Sequence, residues 1–219
     1  MRSTLPAGSS RKLLILWDMC KDGFGTTPLM TAARNGDLDA VRRLIARGDD
    51  PLAVNYEGFN SLHAAAMGGR PEVAQYLIGL GIQVECRSSR GYTPLNIAAV
   101  RAPLELIAGA ISPFLAAGAD INTRAKHENT PLIAAAVRNA TDAVAYLVSH
   151  GANIDARDAA GMTALMLVAR IGRYPAMARH LIRLGANPAT KNHAGRTAWD
   201  IASDSMRGGI IFKSLPPNS

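Results

Sequence analysis

A short pattern centred on a leucine recurs along the chain and limits what the chain can fold into. Its copies read TTPLMTAARNGD, NSLHAAAMGGRP, YTPLNIAAVRA, NTPLIAAAVRNAT and MTALMLVARIGR, followed by a partial copy, RTAWDIASD. The central residues are Leu29, Leu62, Leu95, Leu132, Leu165 and Trp199, which gives spacings of 33, 33, 37, 33 and 34 residues. A fixed period of this length indicates a stack of similar units, each of which covers its apolar face with its neighbours.

Each copy carries the signals of two short helices. A threonine hydroxyl can cap the first helix and a proline fits its first turn, as at Thr27 and Pro28. The following Leu-x-x-Ala-Ala pattern supplies small residues for close packing, and a glycine such as Gly36 ends the helix. A second, amphipathic helix stops at a glycine where positive φ is expected. These glycines are Gly48, Gly81, Gly118, Gly151 and Gly185, and segments such as ADIN and ANID after them predict tight hairpin turns.

The motif and its period resemble the ankyrin repeat family. The resemblance rests on T-P-L-H-x-A and the closing G-A-D/N-x-N/D; only His63 keeps the motif histidine, and Asn60 and Ser61 replace Thr-Pro in the second copy. It implies an all-α solenoid of helix-turn-helix units joined by β-hairpin-like loops. The expected repeats are 22–54, 55–87, 88–124, 125–157 and 158–191, with a partial repeat at 192–203. We expect residues 1–21 to form an N-terminal capping segment and residues 204–219 to form a C-terminal cap and tail.

The residues that carry enzyme chemistry do not form any recognisable site in this sequence. The five histidines lack metal-ligand spacing, and the chain contains neither a phosphate-binding glycine loop nor a nucleophile elbow. Two cysteines are too few and too distant for a disulfide framework or a metal knuckle. We therefore predict that the protein is not an enzyme and needs no cofactor and no metal.

The resemblance implies a concave groove, lined by hairpin tips and the first helix of each repeat, that binds a partner protein. Counting from each motif leucine predicts which residues line it. Those just after the alanine pair of the first helix are Arg34, Met67, Arg101, Arg138 and Arg170; those just before the hairpin turns are Arg87, Arg124 and Arg157; and those near the tips are Phe24, Tyr56, Phe59, Tyr92, Lys126 and His127. Arginine and aromatic residues are enriched at interfaces, and exposed aromatics at the tips indicate binding. The alternative is that the arginines are ordinary repeat residues on a solvated surface.

These observations favour a protein-protein interaction module whose partner has an acidic or mixed acidic and apolar surface, with a monomer favoured. The formal net charge of +7 and the sequence pI near 9.8 raise nucleic-acid binding as a less favoured alternative, because the basic residues are spread over the repeats. No apolar run reaches the roughly 18 residues of a membrane span. A cytoplasmic protein is expected; the alternative is an exported or secreted bacterial effector that acts on host proteins.

The N-terminus bears on that alternative. Basic residues precede an apolar run from Leu13 to Trp17, which is short of the roughly 7–15 apolar residues of a secretory signal. We interpret the run as part of the capping segment.

The third repeat is four residues longer than the others. Gly118 lies 23 residues after Leu95, whereas Gly48 lies 19 residues after Leu29. We expect Pro103 to begin the second helix of this repeat and the extra residues to add about one turn. Gly109 and Pro113 inside that helix predict a kink. The addition is either a tolerated lengthening on the outer side or a second contact surface.

Overall fold

The computed structural model describes residues 25–204, except for the side chain of Lys126. Within that range the chain forms eleven α-helices and two 3₁₀ turns and contains no strand. The helices are α1 (Pro28–Asn35), α2 (Leu38–Ala46), α3 (Ser61–Gly68), α4 (Pro71–Gly79), α5 (Pro94–Arg101), α6 (Ile107–Ala116), α7 (Pro131–Val137), α8 (Thr141–Ser149), α9 (Ala164–Ile171), α10 (Pro175–Arg183) and α11 (Ala198–Asp204); the 3₁₀ turns are Leu104–Leu106 and Lys126–Glu128.

The helices form two layers that follow the repeat. The odd-numbered helices, from α1 to α11, pack one against the next and form the inner layer. The even-numbered helices, from α2 to α10, pack on them and on each other and form the outer layer. This arrangement confirms the predicted all-α solenoid of helix-turn-helix units. The predicted N-terminal cap (1–21) and the tail beyond Asp204 lie outside the described residues.

Small side chains set the distance between the inner helices. The motif leucines from Leu29 to Leu165 are at most 1% exposed, and Ala33, Ala65, Ala98 and Ala135 are fully buried. A Cβ added at Gly68 would collide with the carbonyl oxygen of Arg34, so α3 approaches the end of α1 at backbone distance. Alanine and glycine at these positions therefore allow the close stacking that the sequence predicts.

The predicted helix caps are present. The Thr27 hydroxyl accepts a hydrogen bond from the Met30 N–H at 3.1 Å, and the same cap recurs at Thr93, Thr130 and Thr163. In the second repeat Asn60 replaces threonine, and its carboxamide oxygen accepts hydrogen bonds from the N–H groups of Leu62 and His63 at 3.1 Å each. The departure from Thr-Pro therefore leaves this helix start fully capped.

Glycines end most of the helices where expected. Gly36, Gly69 and Gly172 have φ angles of 83°, 66° and 69° after the inner helices, and the five glycines after the outer helices also have positive φ. The fourth repeat uses Asn139 instead, at φ 60°. Asparagine tolerates this left-handed conformation better than most residues because its short polar side chain can bond locally.

The third repeat differs from its prediction. Pro103 does not begin the second helix; Ala102 and Pro103 are extended, and the separate 3₁₀ turn Leu104–Leu106 precedes α6. Helix α6 has ten residues where the other outer helices have nine, so most of the added length lies in the connection. Helix α6 is continuous through Pro113, which is buried. The kink predicted from Gly109 and Pro113 remains a prediction.

Candidate partner-binding groove

Five hairpin-like tips project beside the N-terminal ends of the inner helices α3 to α11. They comprise residues 55–59, 88–92, 125–129, 158–162 and 192–196. In each tip the first N–H donates to the fifth carbonyl and the fourth N–H donates back to the first carbonyl, at 2.9–3.0 Å. Neighbouring tips are also bonded, as where the Ser89 N–H donates to the Glu57 carbonyl at 2.9 Å. The tips and the inner helices together form one surface, which we call the groove.

One depression in the groove is a cleft of about 650 Å³ between the third and fifth repeats. Its floor is apolar and consists of Val100 on α5, Ile133, Ala134 and Val137 on α7, and Leu167 on α9. One wall is formed by Arg138 and Arg170 at the ends of their helices, and the other by tip residues that include Tyr92, His127, Asn129 and Asp158. The cleft thus combines an apolar floor with polar walls, which is the usual composition of a binding site.

Two smaller depressions extend the groove on either side of the cleft. One of about 210 Å³ lies over the first three repeats and is lined in part by Met30, Arg34, Met67 and Arg101. The other, of about 340 Å³, lies at the C-terminal end and includes Arg170 and Ile201. Four of the predicted arginines and Met67 line these three depressions: Arg34, Arg101, Arg138 and Arg170.

The tip at 125–129 is strained. The four other tips have glycine at their fourth position, at φ 73° to 76°, whereas this tip has Glu128 at φ 60° and His127 beside it at φ 62°. The left-handed conformation costs a non-glycine residue on the order of 1–2 kcal/mol. Both side chains are exposed, so the strain presents His127 at the rim of the cleft.

Three of the predicted arginines contact the protein itself. Arg87 donates to the Arg124 carbonyl at 3.0 Å, and Arg124 donates to the Arg157 carbonyl at 2.9 Å, so each joins its tip to the next. Arg138 donates to the carbonyls of Ala99 at 3.1 Å and Ala102 at 2.8 Å, and burial lowers the pKa of its guanidinium. These bonds stabilise the stack, so these three arginines have a role within the repeats themselves.

Four other arginines form no such contact. Arg34, Arg101, Arg157 and Arg170 are exposed, and within residues 25–204 none of their guanidinium groups has a hydrogen-bond or ion-pair partner. Arg34, Arg101 and Arg170 all lie in the last turn of the inner helix, in the first, third and fifth repeats. The predicted groove arginines therefore divide into a set that bonds to the protein itself and a set that is available for a partner.

The predicted aromatic patch is only partly exposed. The expectation that Phe59 is exposed is wrong: its side chain is 6% exposed and contacts the His63 ring, with centroids 5.4 Å apart, because it fills the core under its tip. Tyr92 is half-buried at the cleft wall. Tyr56 is 68% exposed, and its ring lies over Gly25, where an added Cβ would be 3.4 Å away. Phe24 and the Lys126 side chain lie outside what is described.

The apolar floor was not predicted from the sequence, although the repeat pattern contains a signal for it. Position two after the motif leucine is Thr31, Ala64, Ile97, Ala134 and Leu167 in successive repeats. Ala64, Ala134 and Leu167 line groove depressions. Val100 and Val137 each precede a groove arginine, so the arginine positions could have identified them too.

A cysteine, a histidine and an asparagine lie together in the second repeat. The Cys86 sulfur is 3.9 Å from His63 Nδ1 and 3.4 Å from Asn60 Nδ2. Burial raises the pKa of the Cys86 thiol and lowers the pKa of His63 to about 4, although the Tyr92 carbonyl opposes the latter shift. Nucleophilic catalysis requires the reverse, a thiolate beside a protonated imidazole. The cluster therefore serves the helix cap, and no group of three potential metal ligands occurs among residues 25–204.

Comparisons with known proteins agree with this architecture. The family model described as ankyrin repeats in three copies matches residues 9–88 and 104–192. B-cell lymphoma 3 protein homolog of Mus musculus is 32% identical over 171 residues, which cover 76% of this chain and 37% of that protein. NF-kappa-B inhibitor delta of Mus musculus is 29% identical over 194 residues, covering 77% of this chain and 59% of that protein. The chain thus spans between about a third and three fifths of the length of these relatives.

A solved structure matches almost over its full length. It is a chain of the complex between a predatory endopeptidase from Bdellovibrio bacteriovorus and an immunity protein. The match has a TM-score of 0.71 and 27% identity, and it covers 87% of this chain and 99% of that one. No helix in the described part of the chain is long and apolar enough to cross a bilayer. With the family model covering more than half of the sequence and the helix pairs repeating as that family requires, the chain belongs to the ankyrin repeat family.

Proposed function

We propose that the protein binds a partner protein in the groove and restrains that partner by occupying it, without chemistry of its own. Protein-protein interaction is the role that the family and its homologues indicate. The finer statement, that the groove is the contact surface, is supported by one observation above all. Arg34, Arg101 and Arg170 are exposed beside apolar depressions and have no partner among the described residues.

The character of the groove indicates the partner's surface. Unpaired guanidinium groups form their strongest contacts with carboxylates, often through two parallel hydrogen bonds. The half-buried floor residues Val100, Ala134 and Val137 add apolar contact area beside these charges. We therefore propose a partner surface that combines carboxylates with at least one protruding apolar side chain.

The comparisons support restraint as the outcome of binding. One relative is named an inhibitor, and the matched solved complex joins an endopeptidase to an immunity protein. A binder of this kind needs only a rigid surface that matches its target. The closely stacked inner helices supply such a surface.

Photo-crosslinking from the groove tests this proposal. A benzophenone amino acid is placed at Met67 or His127 in the groove, or at Leu80 on the outer layer, and expressed in the source cells. We expect the groove positions to capture one discrete partner. A triple variant with Arg34→Glu, Arg101→Glu and Arg170→Glu should reduce capture at least tenfold.

A charge-matched control separates the groove from net charge. Arg43→Glu, Arg173→Glu and Arg183→Glu change three exposed arginines outside the groove and should leave capture intact. Both triples must unfold at the same urea concentration as the wild type. The proposal is wrong if Leu80 captures the partner and the groove positions do not, or if the purified partner keeps its full activity with the chain bound.

We also propose that this binding takes place in the cytoplasm. Fractionation of the source cells, followed by immunoblotting, tests that location; recovery outside the cytoplasm would favour the effector alternative instead. Direct nucleic-acid binding remains the less favoured alternative, and a gel-shift measurement with the same two triples tests it.

A further inference from the structure

The cleft of about 650 Å³ contains polar side chains that the protein leaves unused. The Arg170 guanidinium, the Asn129 carboxamide and the His127 imidazole line the cleft. None has a hydrogen-bond or ion-pair partner within residues 25–204. Asn129 is half-buried, so its amide is already partly removed from water.

An unused carboxamide in a cleft matches a particular kind of ligand. A carboxamide offers both a donor and an acceptor, which can pair with the N–H and carbonyl of a peptide backbone. Backbone groups of a helix are satisfied within the helix, whereas those of an extended chain are free. Asn129 therefore favours an extended peptide segment over a helix.

The distance between neighbouring inner helices indicates which type of extended chain fits across them. Neighbouring packed helices lie about 8–10 Å apart. A polyproline II segment repeats every three residues with a rise of about 3.1 Å each, or about 9 Å per turn. Its residues at i, i+3 and i+6 therefore point the same way and match three consecutive inner helices. A β-strand would point its residues i and i+3 to opposite faces.

The charges around the cleft indicate where the charged side chains of such a segment would lie. The apolar floor spans α5, α7 and α9, and Arg170 lines the cleft at the end of α9. Arg101 follows the floor residue Val100 at the end of α5 and lines the neighbouring depression over the first three repeats. The Arg138 guanidinium between them is engaged with α5 carbonyls. Asp158 lies on the opposite wall, and its carboxylate accepts hydrogen bonds from the N–H groups of Ala160 and Met162 at 2.8 Å each. Carboxylates of a ligand are therefore attracted to the helix ends.

We propose that the cleft binds a polyproline II segment of the partner with the pattern acid-x-x-apolar-x-x-acid. The apolar side chain occupies the floor over Val137, and the two carboxylates pair with Arg101 and Arg170. Asn129 pairs with the peptide backbone. The proposal rests on the function proposed above, because it names the ligand class of the same groove.

A random dodecapeptide display library provides the probe. The full chain is the bait, and the variant with Arg101→Glu and Arg170→Glu is the counter-selection. We expect enrichment of sequences with an aliphatic residue three positions from an acidic residue on each side. Enrichment of acids at helical spacing, of basic sequences, or of no sequence at all would overturn the proposal.

Matched synthetic peptides then measure the spacing. A selected peptide is compared by fluorescence polarisation with an isomer in which each acid is moved one position outward. The original should bind at least tenfold more tightly. Arg170→Glu should remove most of that difference, Asn129→Ala should weaken binding several-fold, and Arg43→Glu should do neither. Proline at the x positions should be tolerated; loss of binding on that change contradicts a polyproline II ligand.

The two proposals can fail separately. If crosslinking maps the natural partner to the groove but the library yields helical spacing, only the ligand class is wrong. If the partner crosslinks at Leu80 instead, the groove function is wrong as well.

Discussion

Arg138 and Arg170 lie at the C-terminal ends of neighbouring inner helices, six and five residues after their motif leucines, yet their guanidinium groups differ in what they contact. Arg138 bonds to the Ala99 and Ala102 carbonyls, while Arg170 has no partner in the described part of the chain. The sequence predicts both as groove residues because each lies just after the alanines of its repeat motif. It does not show that the altered connection of the third repeat leaves carbonyls free for Arg138. The place in the repeat motif therefore predicts which surface an arginine lies on, and contacts with the neighbouring repeat determine whether its guanidinium is left for a partner.

Phe59 and Asn139 show the same limit at single residues. Phe59 is of a residue type that is common at interfaces, but its side chain points into the core and is 6% exposed. Asn139 takes the positive φ that glycine takes after the inner helix of the first, second and fifth repeats, and the repeat pattern does not require asparagine there. The caps and outer-helix glycines, by contrast, are local backbone requirements and were predicted correctly.

His63 predicts how stability depends on pH. The side chain is 1% exposed, and its Nε2 donates to the Tyr92 carbonyl at 3.0 Å. Burial lowers its pKa to about 4 from 6.5, so between these values the unfolded chain binds a proton that the folded chain does not. The free energy of unfolding should therefore fall as pH drops from 6.5 to 4, by up to about 1.4 kcal/mol per pH unit.

Urea unfolding at several pH values measures this slope. His63→Gln should flatten it over that interval, whereas the exposed His150→Gln should leave it in place. If the free energy of unfolding depends on pH equally in the wild type and in His63→Gln, the His63 imidazole does not cause that dependence.

At the scale of elements, the third repeat shows how a solenoid accommodates extra length. The added residues form an extended step and a 3₁₀ turn between α5 and α6, and α5 and α7 still pack against each other. Leu106 packs over the α3-α4 turn, where a Cβ on Gly69 would lie 3.0 Å from its Cβ, while Leu104 is 52% exposed. The repeat spacing predicts the extra residues, but their conformation depends on contacts with the second and fourth repeats.

Arg138→Ala tests that dependence. Removing the guanidinium leaves the Ala99 and Ala102 carbonyls without their donor, so we expect the free energy of unfolding to fall by about 1–3 kcal/mol. Urea denaturation measures the change. Arg101→Ala, at an exposed arginine without a partner in residues 25–204, is the control and should change stability by less than about 0.5 kcal/mol. Similar losses for both variants would mean that the bonds to α5 do not stabilise the connection.

At the scale of the whole molecule, stability spreads through contacts between neighbouring repeats. Inner helices contact the helices directly before and after them, and the buried leucines form one continuous core along the stack. In such an architecture the effect of a local defect decreases with each interface that it crosses. The sequence alone predicts this property, because it follows from the period.

Leu95→Ala in the central repeat tests how far a defect extends. The fully buried leucine leaves a cavity, so the free energy of unfolding should fall by about 2–5 kcal/mol. Hydrogen exchange followed by mass spectrometry should show the greatest loss of protection in α3, α5 and α7 and a smaller loss in α1 and α9. Leu52→Ala, at a side chain that is 58% exposed, should change neither quantity. An equal loss of protection in every helix would instead indicate a single cooperative unit.

The connection between α5 and α6 has a practical consequence. It lies at the ends of the helices away from the hairpin tips, and it already holds a 3₁₀ turn, which the corresponding connections of the other described repeats lack. A short epitope or a fluorophore grafted beside Leu104 would therefore leave the groove lining intact. Such a graft would give this protein a reporter position from which occupancy of the groove can be followed in living cells.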